Sequence, residues 1–143
     1  DYLKKRGLPR TPADLAGHEL LGLRAPGHQQ HVWRLIDPKN QDKTLDIEVV
    51  PSFWINHIEA LLRATIDGAG ITSVIADVAA PHLASGELVR VLPPWTTGSF
   101  SLYAVLPSRK FLPERTKIFM DFITTTIRER KKQAQLAYAN SAY

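Results

Sequence analysis

Four side chains in one short run, Ser52, Phe53, Trp54 and Asn56, bring together a hydroxyl, two large aromatic rings and an amide. Set just before a helix, they would share their position with backbone N–H groups that the helix leaves unsatisfied. The positive end of the helix dipole would then favour an anion such as a carboxylate. Ser and Asn at a helix start also act as caps, and Phe and Trp also act as packing, so both uses of the run stand at this level. No other chemistry is suggested as directly. The histidines are His18, His28, His31, His57 and His82, and no three fall at a metal-ligand spacing. Gly68-Ala69-Gly70 ends a predicted helix rather than starting one, the wrong polarity for a phosphate loop. Ser52, Ser108 and the histidines form no nucleophile elbow and no triad order. The expectation is therefore a binding module with no cofactor, no metal and no enzymatic activity.

The elements that must position this run follow from periodicity. Leu45 to Val50 alternates apolar and polar residues as a half-buried strand does, and Pro51 and Ser52 break it. Asn56 with Glu59 forms a variant capping box, and Ile58, Leu61, Leu62, Thr65 and Ile66 share one helical stripe. Gly68 and Gly70 close the helix, and Ile71 to Ile75 is rich in β-branched residues. The prediction is a strand–helix–strand unit with parallel strands and a right-handed crossover. Ligands in open α/β sheets gather beyond the carboxyl ends of the strands, which here is the Pro51–Asn56 loop.

The remaining chain is read in the same way. Residues 1–6 make one or two helical turns stopped by Gly7. Thr11-Pro12 starts a short helix with Asp14 in its first turn, and Gly17 limits it. Glu19–Arg24 is a buried strand. His31–Ile36 and Thr44–Val50 form a hairpin over the polar stretch Asp37–Lys43. Asp77 opens a helical stretch in which Pro81 marks a break or a new first turn, and Gly86 ends it. Glu87–Leu92 and Phe100–Leu106 read as strands. From Pro113 a helix carries Ile118, Phe119, Met120, Phe122, Ile123 and Ile127 on a wide apolar face, with Arg128, Arg130, Lys131 and Lys132 at its end. Residues 134–143 continue the helix or are disordered.

The chain has 143 residues, enough for one domain or a little less, and 44% of them are hydrophobic. No run reaches the roughly 20 apolar residues of a membrane span, and no secretory segment is visible. With no cysteine there is no disulfide or thiolate site. The net charge of +4 is uneven, because residues 107–132 hold eight Lys or Arg against three Asp or Glu. The basic character thus belongs to one helical segment and offers no aromatic-interleaved surface for nucleic acid.

Taken together, the chain resembles the effector-binding region of LysR-type transcriptional regulators. The resemblance is carried by Tyr2-Leu3 with Gly7 and Pro9, Thr11-Pro12-Ala13-Asp14-Leu15 with His18, Trp33, and Asn56 with Ala60-Leu61. It continues through Gly68-Ala69-Gly70-Ile71, Leu83 to Val89, Leu92-Pro93 with Trp95, Leu102 to Val105, Pro107-Ser108-Arg109, Leu112-Pro113, Phe119 and Asp121-Phe122. A proline common after the Gly-Ala-Gly-Ile strand is Ala76 here, which bears on the rim of the cleft.

The resemblance implies an α/β fold, one lobe of a type 2 periplasmic-binding-protein-like architecture with a mixed, mostly parallel sheet flanked by helices. Residues 1–106 would be the second lobe, 107–133 a helix returning to the first lobe, and 134–143 a tail. The ligand-binding share of this lobe would be Ser52, Phe53, Trp54 and Asn56, joined by Arg24, Ala25 and Ala76, with Tyr103 at the hinge. Arg24 suits a carboxylate because arginine binds one bidentately. The expected function is sensing of a small anionic metabolite in a cytoplasmic homodimer or higher oligomer. DNA would be bound only through a separate N-terminal domain, and no membrane is involved. A solute receptor of a transport system is the alternative, which an upstream secretory signal would favour.

Overall fold

A computed structural model describes residues 1–24, 32–37, 40–93, 95–98, 101–106 and 112–140, the side chains of 41, 42, 139 and 140 excepted. Helix α1 (Tyr2–Arg6) ends at Gly7, whose φ of 88° lies in the left-handed region that suits glycine. A 3-10 helix follows at Pro12–Gly17. The Asp14 carboxylate accepts the backbone N–H groups of Arg10 and Thr11, both at 2.9 Å, which fixes its first turn.

Strand β1 (Leu20–Leu23) is the centre of a three-stranded sheet. Leu20, Leu21 and Gly22 are all buried, as befits a parallel strand covered on both faces. On one side β1 pairs in parallel with β4 (Phe53–Ile55), and on the other with β5 (Ile71–Thr72). In the chain, the hairpin of β2 (Val32–Asp37) and β3 (Asn40–Glu48) comes between β1 and β4, antiparallel and a separate sheet. Its inward residues Trp33 and Leu35 join Leu15, Leu20, Val49, Ile71 and Leu92 in the main apolar core.

Helix α2 (Ile58–Ile66) connects β4 to β5 and buries Leu61 and Leu62. It ends in a Schellman arrangement. Ala69 N–H donates to Ala64 C=O at 2.9 Å and Gly68 N–H to Thr65 C=O at 3.0 Å, with Gly68 at φ 84°. Helix α3 (Ala76–Ala84) follows β5, and α4 (Glu114–Asn140) packs on α3, where Ala134 is buried.

Several expectations are corrected. The parallel strand feeding α2 is Phe53–Ile55, not Leu45–Val50, which stays in the hairpin. The aromatic and β-branched run Phe-Trp-Ile finds a ladder partner in Leu21–Leu23, and that pairing outweighs its reading as a loop. Helix α2 starts after His57 rather than Asn56, and no side-chain cap forms. Pro81 lies inside α3 without ending it. The carbonyl of Asp77, deprived of its donor, sits on an exposed residue within reach of water.

Strand β5 stops at Thr72. Residues 87–92 and 101–106 are not strands. Leu102, Tyr103 and Val105 are 69%, 81% and 90% exposed, because no described strand lies beside them to complete a ladder. The basic cluster at 128–132 is mid-helix, since α4 runs on through the helix-favouring Gln-Ala-Gln-Leu-Ala-Tyr stretch to Asn140. Ala25, His28, His31, Phe100 and Pro107–Lys110 fall outside the described residues.

Candidate ligand site at the carboxyl edge of the sheet

Because β1, β4 and β5 run in parallel, their carboxyl ends meet on one edge. Arg24 follows β1 and extends the ladder, its N–H donating to Ile55 C=O at 2.7 Å. Asn56 and His57 follow β4 and lead into α2, and Ser73 to Ile75 follow β5 and lead into α3. Two helices therefore open at this edge. Neither has a side-chain cap hydrogen bond at its N-cap, His57 for α2 and Ile75 for α3. Their first N–H groups remain available to an anion. Arg24 is exposed and makes no ion pair among the described residues. The edge thus joins one guanidinium, one exposed amide and two helix starts, a combination suited to a carboxylate.

Of the predicted residues, Arg24, Asn56 and Ala76 stand at the carboxyl edge. Ser52 does not. It lies at the amino end of β4, where its N–H donates to Leu20 C=O at 2.8 Å and its hydroxyl donates to the Glu19 carboxylate. Glu19 in turn pairs with Arg6 at 3.3 Å. The picture of Ser52 at the transition from sheet to helix is overturned by the strand that separates it from α2.

Phe53 and Trp54 are within that strand. Phe53 is 41% exposed, and the half-buried Trp54 indole lies over Gly22, where a Cβ would stand 2.5 Å from Cε3. Ala76 is the first residue of α3. Ala25 lies outside the described residues, and Tyr103 is exposed in an irregular segment.

Residues that sequence reasoning missed are His57, the true N-cap, and Ser73. The Ser73 hydroxyl meets that of Thr97 at 2.7 Å just beyond β5. Reading Phe53–Ile55 as a strand would have shifted attention from Ser52 to His57 at once. Among the described residues, no group of three or more His, Asp or Glu could hold a metal ion. No helix there is long and apolar enough to cross a membrane.

A short parallel sheet with helices starting at its carboxyl edge is the arrangement by which open α/β folds hold ligands. Comparison with known proteins gives this class its family. Residues 1–128 match the LysR substrate binding domain, and the chain belongs to that family. It is similar to the uncharacterized HTH-type transcriptional regulator YcaN of Escherichia coli K12, 27% identical over 125 residues, 87% of this chain and 39% of that protein. It is also similar to the HTH-type transcriptional regulator CrgA of Neisseria meningitidis, 28% identical over 124 residues, 86% of this chain and 40% of that one. The chain thus spans about two fifths of these curated relatives.

Among solved structures, the regulatory domain of AphB from Vibrio vulnificus superposes with a TM-score of 0.66 at 26% identity, covering 87% of this chain and 60% of the other. The CrgA regulatory domain gives 0.62 at 27% identity, covering 85% and 58%.

Proposed function

We propose that the chain is the effector-sensing lobe of a LysR-type transcriptional regulator and that a small organic acid binds at the carboxyl edge of its sheet. The observation that carries this reading is the convergence of Arg24, Asn56 and two helix starts without side-chain caps at one edge of a parallel sheet. Arg24 holds the carboxylate, the N–H groups opening α2 and α3 share its charge, and Asn56 orients it. Ala76 forms the rim and leaves room where a proline would narrow it. Phe53 and Trp54 support the edge from within β4.

Residues 101–106, with Tyr103, act as the crossing segment to a first lobe supplied by the rest of the protein. The effector shifts the relation between lobes by no more than its differential affinity for the two arrangements. The regulator acts in the cytoplasm as a homodimer or higher oligomer, contacts DNA through a separate N-terminal domain, and catalyses nothing.

Thermal shift and calorimetry on the full-length protein with a panel of organic acids test the site. A responding acid should lose its effect in Asn56→Ala and Arg24→Gln, each by about tenfold or more in affinity, as expected when a hydrogen bond to a charged group is removed. Ser52→Ala should respond as the parent does. Retained affinity in both edge variants would remove the site from this edge.

A further inference from the structure

A cavity of about 610 Å³ lies on the far side of β5 from β1, within the range of about 300–1,000 Å³ typical of small-ligand sites. Among the described residues strand β5 pairs with β1 alone, so its other side borders the cavity. The cavity follows the chain from Gly70 to Val74, roughly 13 Å at a strand's rise of about 3.3 Å per residue. The segment Gly86–Leu92 forms the opposite wall. Leu15, Trp33, Leu35 and Ile71 make the interior apolar.

The wall also carries four charged residues, the exposed Asp1, Lys4 and Glu87 and the half-buried Arg90. Arg90 donates to Trp95 C=O at 3.3 Å and stacks 4.1 Å from the centre of the Tyr138 ring. It has no carboxylate partner among the described residues. The nearby Glu87 is taken by His82 at 2.8 Å and Ser85 at 2.9 Å. Burial pushes the Arg90 guanidinium below its usual range, the direction expected for a cation losing water without a counter-charge. A ring face offsets only part of that loss.

We propose that this cavity is a second ligand site, for a linear medium-chain carboxylate whose head pairs with Arg90 and whose alkyl chain lies along β5. Its anchoring groups are separate from those at the carboxyl edge, although Ser73 borders both. None of Arg24, Asn56 or Ala76 lines the cavity.

Trp33 and Trp95 line the cavity, so intrinsic fluorescence reports occupancy. The complete chain is titrated with octanoate below its micelle concentration, with octan-1-ol and with acetate. Octanoate should give a saturable change, octan-1-ol a weaker one and acetate none. Arg90→Gln should weaken octanoate by about tenfold or more, the effect of losing one charge-assisted hydrogen bond, and leave octan-1-ol unchanged. Arg90→Lys, which keeps the charge should the Gln variant fail to fold, should retain the preference for octanoate over octan-1-ol. Asn56→Ala should bind octanoate as the parent does. No saturable change with octanoate, equal affinity for acid and alcohol in the parent, or loss of binding in Asn56→Ala would each overturn the proposal.

Discussion

Single residues show where close approach limits the fold. At Gly22 an added Cβ would meet Trp54 Cε3 at 2.5 Å and Pro51 Cγ at 2.9 Å. Gly22→Ala should therefore cost about 1–3 kcal/mol through overpacking, read as a lower urea midpoint. Gly68 is limited by backbone conformation instead, because nothing lies closer than 3.8 Å to its missing Cβ. Gly68→Ala should cost about 1–2 kcal/mol from the left-handed φ alone. Asp14 gives a pH signature. Its hydrogen bonds from the Thr11 and Arg10 backbones hold its carboxyl below the ordinary 3.8. A depressed carboxyl contributes stability above its unfolded value and loses it as pH falls through the folded one. The stability gap between the parent and Asp14→Ala should be full near neutral pH and should shrink below about pH 4, where the unfolded carboxyl takes up its proton, as followed by thermal unfolding across the acid range.

At the scale of elements, α4 has two unlike halves. The helix packs on α3; Ala134 in its C-terminal half is 3% exposed, whereas Phe119 and Phe122 in its first half are 60% and 65% exposed. Ala134→Leu should then destabilise by about 1–3 kcal/mol, since the contact has no spare volume. Phe119→Ala should stay within about 0.5 kcal/mol by the same thermal measurement. The strands make a related point. Phe53–Ile55 holds three residues in regular pairing because Leu21–Leu23 lies beside it, whereas the more apolar Leu102–Leu106 has no described neighbour and stays irregular. The sequence suggests a loop for the first run and a strand for the second, and pairing decides both the other way.

At the scale of the whole molecule, Ile118, Phe119 and Phe122 form an exposed apolar face that none of the described residues covers. Faces of this kind drive association in water. Sedimentation should show mass rising with concentration for this chain, and Phe119→Asp with Phe122→Asp should hold it at the monomer. A parent that is monomeric throughout would remove this expectation.

The sequence by itself determined the local punctuation: the helix start at Thr11-Pro12, the stops at Gly7, Gly68 and Gly86, the buried stripe of Leu61 and Leu62, and the family to which the pieces add up. Those features depend on residues within one or two turns of each other, so neighbouring chemistry is enough. Only the tertiary structure decided which run pairs with β1, and therefore that Asn56 and Arg24 share one edge while Ser52 stands at the other. It also decided that Arg90 is half-buried beside an apolar cavity. Strand partners and burial come from residues distant in sequence, and a three-residue strand is stable only through the neighbour it meets.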